Sequence, residues 1–105
     1  MTDVFAALAY PTRRRILDLV ATKECAVGEL VQAVRLTQPA VSKQLGVLRE
    51  AGLVSVRVEG KQRMYRMNPA PLRDVEAWLA RYRPFLEANM DALERHLDKK
   101  KSRGA

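Results

Sequence analysis

Along the first fifty residues, apolar side chains recur three and four positions apart. From residue 54 to 67 they recur at every second position, and beyond residue 71 the longer period returns. These changes of period predict helices, then a hairpin, then a further helix. Residues 2–9 open with two residues of capping type, Thr2 and Asp3. They place Val4, Phe5 and Leu8 at helical spacing, so a short first helix is expected. Pro11 suits the first turn of a second helix, where its missing N–H has no intrahelical partner to lose. Ile16, Leu17 and Val20 give that helix one apolar face to about Ala21. After the polar break TKEC, the positions Val27, Leu30, Val31 and Val34 predict a third short helix, with Arg35 and Leu36 as the connection.

The stretch TQPAVSKQLGVLREAGLV, residues 37–54, reads as a fourth helix. Thr37 is a good N-cap, because its hydroxyl can accept from an unsatisfied backbone N–H. Pro39 belongs in the first turn, and Val41, Leu45 and Leu48 form the inward face. Gly52 after Ala51 supplies the left-handed conformation that ends a helix. Two short apolar-faced helices joined tightly have the shape of a helix-turn-helix. In LVSVRVEGKQRMYRMN, Val54, Val56 and Val58 alternate with Ser55 and Arg57, Gly60-Lys61 is a two-residue turn, and the pattern returns through Tyr65 and Met67. That register sets Val56 opposite Tyr65 and Val54 opposite Met67.

Asn68-Pro69 closes the hairpin. From about Pro71 a long amphipathic helix carries Leu72, Val75, Leu79, Tyr82, Phe85, Leu86, Met90, Leu93 and Leu97. Pro84 interrupts its hydrogen bonding, and because the stripe continues across it, a kink is expected. The fold class is therefore mainly α with a small β-hairpin (α+β): a winged helix-turn-helix of about five helices plus a two-stranded wing. One domain is expected over residues 1–98, followed by a basic tail at 99–105.

The chain has 105 residues, enough for one compact domain, and 48% of them are hydrophobic. So small a domain buries a modest share of its surface, which favours a partner subunit. Nineteen Lys and Arg against twelve Asp and Glu leave a net charge of +7. That surplus favours a polyanionic partner. The single cysteine, Cys25, excludes an intrachain disulfide. With no apolar run long enough to span a bilayer and nothing resembling a signal peptide, no membrane association and a cytoplasmic location are expected.

Opposite the inward stripe of the fourth helix stand Pro39, Ser42, Lys43 and Gly46, with Gln38 at its start and Gln44 on a flank. Gln can read adenine bidentately in a major groove, Lys reaches guanine or phosphate, and Ser bonds to either. The small Ala40 and Gly46 let backbone come close to DNA. The hairpin adds a basic tip and outward face: Arg57, Lys61, Arg63 and Arg66. Such a wing can lie along the phosphate backbone. Of Arg13, Arg14 and Arg15, one is expected to serve structure through an ion pair and another to touch phosphate. Arg13 leans toward the apolar stripe of its helix, whereas Arg15 faces away and is the phosphate candidate.

The stretches ALAYPTRRRIL (7–17), VGELVQAV (27–34), residues 37–54, and VEGKQRMYRMNP (58–69) together resemble the ArsR family of bacterial winged-helix repressors. The resemblance covers nearly the whole chain, with the motifs in the family's order. It implies a homodimer that pairs through its first and last helices, hence Val4, Phe5, Leu8, Leu79, Tyr82, Leu86, Met90 and Leu93. It further implies binding of double-stranded DNA at an imperfect palindrome in promoters. Tyr10 stands where the family's motif has Asp, which removes a cap from the second helix; Thr12 could substitute.

Metal-sensing members carry E-L-C-V-C-D-L at the start of the third helix. Here Ala26 and Gly28 hold the two thiolate positions, and Cys25 falls on the motif's Leu position, so it does not inherit a ligand role. On the last helix His96 has only Asp91 nearby, so no metal or other cofactor is expected, and the inducer is left open as a small molecule or a protein. Cys25 could act as a redox switch if its thiolate were stabilised, with Lys23 close by; a buried, inert thiol is the simpler expectation. One His, one Cys and no glycine-rich phosphate loop argue against an enzyme. A protein-interaction adaptor and an RNA-binding winged helix are the alternatives to a DNA-binding repressor.

Overall fold

A computed structural model describes residues 3–89 together with 94 and 95. The order of elements is α1 (Val4–Leu8), α2 (Pro11–Thr22), β1 (Cys25–Ala26), α3 (Val27–Val34), α4 (Gln38–Glu50), β2 (Val54–Glu59), β3 (Gln62–Met67) and α5 (Leu72–Ala80), followed by α6 over residues 83–89. The chain falls into two compact units, Met1–Val75 and Glu76–Ala105.

Each helix of the first unit starts and stops where its local chemistry requires. The Asp3 carboxylate accepts from the Ala6 N–H at 2.7 Å and caps α1. Helix α2 begins at Pro11 with no side-chain cap on its first turn, so Thr12 does not take the place of the missing Asp. In α3 the Glu29 carboxylate reaches back to the Ala26 N–H at 3.1 Å, and Arg35 ends the helix in the left-handed region, φ 57°. The Thr37 hydroxyl accepts from the Ala40 N–H at 3.3 Å and caps α4. At the other end of α4, the Leu53 N–H bonds to the Leu48 carbonyl and the Gly52 N–H to the Arg49 carbonyl, both at 2.9 Å. With Gly52 at φ +76°, this paired arrangement is the Schellman stop, which satisfies carbonyls the helix would otherwise leave bare.

The inward faces converge on one core. Ile16, Val20, Leu30, Val41, Leu45, Leu48 and Leu53 are almost wholly inaccessible to solvent. Each such side chain contributes about 1.5–3 kcal/mol by leaving water. Leu72 and Val75 of α5 pack against this core from its edge.

The hairpin has the register its alternation implies: Val54 pairs with Met67, Val56 with Tyr65, and Val58 with Arg63. Gly60, at φ +60°, is the first of the two loop residues, as a primed hairpin turn requires. The wing is nevertheless part of a three-stranded sheet in the order β1-β3-β2, because the two residues of β1 pair antiparallel to β3. Cys25 lies opposite Tyr65, and both are buried. The base of the sheet is tied by the Asn68 side chain, which donates to the Gly52 carbonyl at 2.9 Å.

Pro84 does more than kink the last helix. The chain leaves helical geometry at Arg81 and Tyr82 and resumes at residue 83. The Tyr82 N–H turns back three residues to the Leu79 carbonyl, and the Leu86 N–H bonds to the Tyr82 carbonyl. Pro84 has no N–H to give the Ala80 carbonyl, and its ring crowds that carbonyl. It therefore sits in the first turn of a new helix, where proline is accommodated. The expected kink is a break. Along α5, α6 and the turn between them, Trp78, Leu79, Tyr82, Phe85 and Leu86 are between 40% and 67% exposed. The Trp78 and Tyr82 rings meet at a centroid distance of 5.2 Å. Among the described residues no helix is long and apolar enough to cross a membrane.

Candidate nucleic-acid interface

With Val41, Leu45 and Leu48 committed to the core, the opposite edge of α4 turns to solvent. Gln38, Pro39, Ser42, Lys43 and Gly46 are all exposed, and Ala40 is half-buried. Gly46 leaves open space around its backbone. The edge is therefore shallow at Gly46 and chemically varied at Gln38, Ser42 and Lys43.

The wing tip approaches the start of this helix. An open groove is lined by Gln38 from α4, by Lys61, Gln62 and Arg63 from the tip, and by Ala26, Val27 and Gly28 from the beginning of α3. Arg63 reaches it because its pairing with Val58 puts it on the same face of the sheet as Tyr65. Nearer the base that face covers the core; at the tip it overhangs, and Val58 is 72% exposed. Nothing in the sequence marked the start of α3 as a wall of this groove. Its only local sign is Gly28, whose missing side chain keeps the wall low.

The basic residues named from sequence divide by partner. Among the described residues the ion pairs engage Lys23 and Arg57, not Lys43, Lys61 or Arg63. Arg57 donates to Glu24 at 2.7 Å and to Glu59 at 3.1 Å. The Glu24 bond, foremost, pushes its guanidinium pKa further up. Its charge is thereby matched within the protein. Arg66 bonds to Ser55 across the outward face at 3.3 Å. Arg15 is exposed and donates to the Ala33 carbonyl at the end of α3, at 3.0 Å. Arg14 donates to the Leu8 carbonyl at 2.7 Å.

Arg13 has the structural role foreseen for one of the three arginines, but not through an ion pair. It is buried, and its guanidinium donates to the carbonyls of Ala7 and Ala6 and to the side chain of Gln44. Gln44 is accordingly half-buried and turned inward to Arg13; its side-chain oxygen is engaged within the protein. Of the residues assigned to a subunit interface, Val4 is a correction: it is 5% exposed and belongs to the core of its own subunit. The spacing that put Val4 beside Phe5 could not tell which of the two neighbours points inward. Phe5 is exposed and Leu8 half-buried. Trp78, absent from the sequence-based set, is exposed alongside Leu79 and Tyr82. Met90, Leu93, His96 and Asp91 lie outside the described residues.

Cys25 is buried, and its thiol points at the Lys23 carbonyl, 3.4 Å away. Burial, and then the Glu29 carboxylate, push its pKa up. The Lys23 ammonium that could have favoured a thiolate is bound to Glu29 at 2.9 Å. Among the described residues no group of three His, Cys, Asp or Glu side chains could hold a metal ion. Ala26 and Gly28 offer no side-chain donor at the thiolate positions of the metal-sensing motif, so the residues present do not fit that metal.

Comparison with known proteins bears on this arrangement. Residues 10–56 match the model of the bacterial regulatory protein arsR family. The chain is 30% identical over 82 residues to the transcriptional repressor SdpR of Bacillus subtilis, a match that takes in 78% of this chain and 91% of that one. It is 48% identical over 60 residues to the biofilm growth-associated repressor of Agrobacterium fabrum, but spans only about half that protein's length, 51%. Among solved structures it resembles the homodimeric winged helix-turn-helix DNA-binding domain of a possible ArsR-family regulator from Mycobacterium bovis. The TM-score there is 0.63 at 33% identity, covering 75% of this chain and 76% of the other.

Proposed function

The chain belongs to the ArsR family of bacterial regulatory proteins, DNA-binding transcriptional regulators rather than enzymes, and on that premise we propose that it represses transcription as a cytoplasmic homodimer on a palindromic operator, without a metal effector. Two copies pair through α1 and the exposed apolar faces of α5 and α6, which sets two α4 helices about 34 Å apart, one turn of DNA. Gln38, Ser42 and Lys43 read base edges in successive major grooves. Lys61 and Arg63 follow the phosphates. Arg57, held by two carboxylates, contributes little to either. Occupancy of the promoter excludes polymerase.

The observation that carries this reading is the exposed edge of α4, which from Gln38 to Gly46 carries no carboxylate and whose first residue lines one groove with the cations of the wing tip. The homodimeric neighbour supports the pairing, and the donor-free Ala26 and Gly28 support the absence of a metal effector. Selection of bound duplexes from a random pool tests all of it, repeated with zinc, with arsenite and with reductant. The expected result is a pseudo-palindrome whose binding weakens steeply with salt and does not respond to metal. Enrichment of RNA alone, or of sequences without dyad symmetry, would refute the reading. Within the selected site, Gln38→Ala should relax base preference at one position per half-site, costing about 1–3 kcal/mol.

A further inference from the structure

We propose that Arg13 is a positioning residue: it locks the recognition helix α4 to the pairing helix α1, and thereby sets which separation of operator half-sites the dimer accepts. The inference rests on the homodimeric DNA-binding reading above.

The geometry is a three-way tie. Arg13 Nε donates to the Ala7 carbonyl at 2.7 Å and Nη2 to the Ala6 carbonyl at 3.0 Å. Nη1 donates to Gln44 Oε1 on α4 at 2.9 Å. The guanidinium carbon lies 4.0 Å from the centroid of the Tyr10 ring. Helix α1 has five residues, so its last carbonyls are short of intrahelical donors; of these the Ala6 carbonyl takes only the Ala9 N–H, at 3.2 Å. Arg13 supplies them, and its charge suits the negative end of that helix.

A buried guanidinium is an expensive adhesive. Apolar packing already holds α2 to α4 through Ile16, Val41 and Leu45, and replacing a buried charge by well-packed apolar groups is often neutral or stabilising. What the planar, forked guanidinium adds is direction. It holds three acceptors on two elements in one plane, and so fixes the roll of α4 relative to α1. Gln44 sits between the buried Leu45 and the exposed Lys43, so a tie at Gln44 restrains the roll that would turn the reading edge. Since α1 carries the exposed Phe5 of the pairing face, fixing that roll within each subunit fixes the span between the two reading edges.

The test measures affinity for operators whose half-sites are moved closer or further apart by single base pairs, using the full chain as wild type, Gln44→Leu, Gln44→Glu, Arg13→Lys and Arg13→Met. Wild type should favour one spacing over its neighbours by about tenfold, the cost of a mismatched site. Gln44→Leu, which cuts the tie but keeps Arg13 on α1, should flatten that preference to about threefold or less. Arg13→Lys should do the same, because an ammonium lacks the planar fork. Gln44→Glu keeps an acceptor for the guanidinium and should retain the sharp preference, even as its added charge weakens binding at every spacing. An unchanged preference in Gln44→Leu would overturn the proposal. So would a fall of about one in the logarithmic salt slope on Arg13→Met, which removes the charge and would mean direct contact with phosphate. Failure of wild type to bind paired half-sites at any spacing would sink the homodimer reading itself, a separate result.

Discussion

Two arginines in the wing, both exposed, face different electrostatic circumstances. Arg57 is balanced by Glu24 and Glu59, whereas Arg63 borders the groove at the start of α4 and meets no carboxylate among the described residues. A phosphate approaching Arg57 must compete with carboxylates already in place, and gains little. Arg63→Ala should therefore lower the logarithmic salt slope of operator binding by about one, and Arg57→Ala by much less; titration across salt concentrations separates them. An equal loss at both positions would show that the Glu24 pairing yields to DNA. Cys25 supports a different prediction. Burial raises its pKa, so above the ordinary thiol value of about 8.5 the unfolded chain gives up a proton that the folded chain retains. Its contribution to stability is complete below that value and is lost as pH rises toward the folded-state pKa. The drop in urea midpoint from neutral to about pH 10 should be smaller in Cys25→Ala than in wild type. Equal drops would mean the thiol is not held in its neutral form.

At the scale of elements, the stop of α4 is the most exacting local structure. Gly52 has φ +76°, and an added Cβ would lie 3.3 Å from the Pro71 side chain. Gly52→Ala thus meets backbone strain and crowding together, and should lose about 1–3 kcal/mol, read as a lower urea midpoint with unchanged slope. This stop was legible in sequence because the Schellman motif leaves a glycine as its mark. The hairpin was legible for a similar reason: a two-residue loop leaves one register, and only that register puts Val54, Val56, Tyr65 and Met67 on one face. Strand β1 was not legible, since two residues carry no period. The break at Pro84 was not legible, because a continuing apolar stripe reports which side of a helix is dry, not whether its backbone bonds are intact. The exposed edge of α4 followed from periodicity alone. The partners that tie up Arg57 and Gln44 did not, being 33 and 31 residues away, distances over which sequence spacing carries no geometry.

On the scale of the whole molecule, Met1–Val75 has a well-filled core, whereas none of residues 76–89 is buried. In Glu76–Ala105 the side chains of Trp78, Leu79, Tyr82, Phe85 and Leu86 are each at least 40% exposed. Neighbouring apolar side chains left open to water on this scale mark a surface that another protein covers. In the proposed homodimer the cover is a second copy, and covering this surface also sets the two α4 edges for one duplex. Pairing and operator binding then stand or fall together, since each reading helix alone loses the gain from simultaneous engagement. Leu86→Glu places a charge within that surface while leaving the core of Met1–Val75 untouched. It should sediment as a folded monomer with an unchanged circular dichroism spectrum over the helical bands. Its operator affinity should fall by about a hundredfold or more, the loss that follows when two linked contacts become independent. A monomer that still bound the full operator tightly would show that one α4 suffices, and a variant that stayed dimeric would move the subunit interface away from this face.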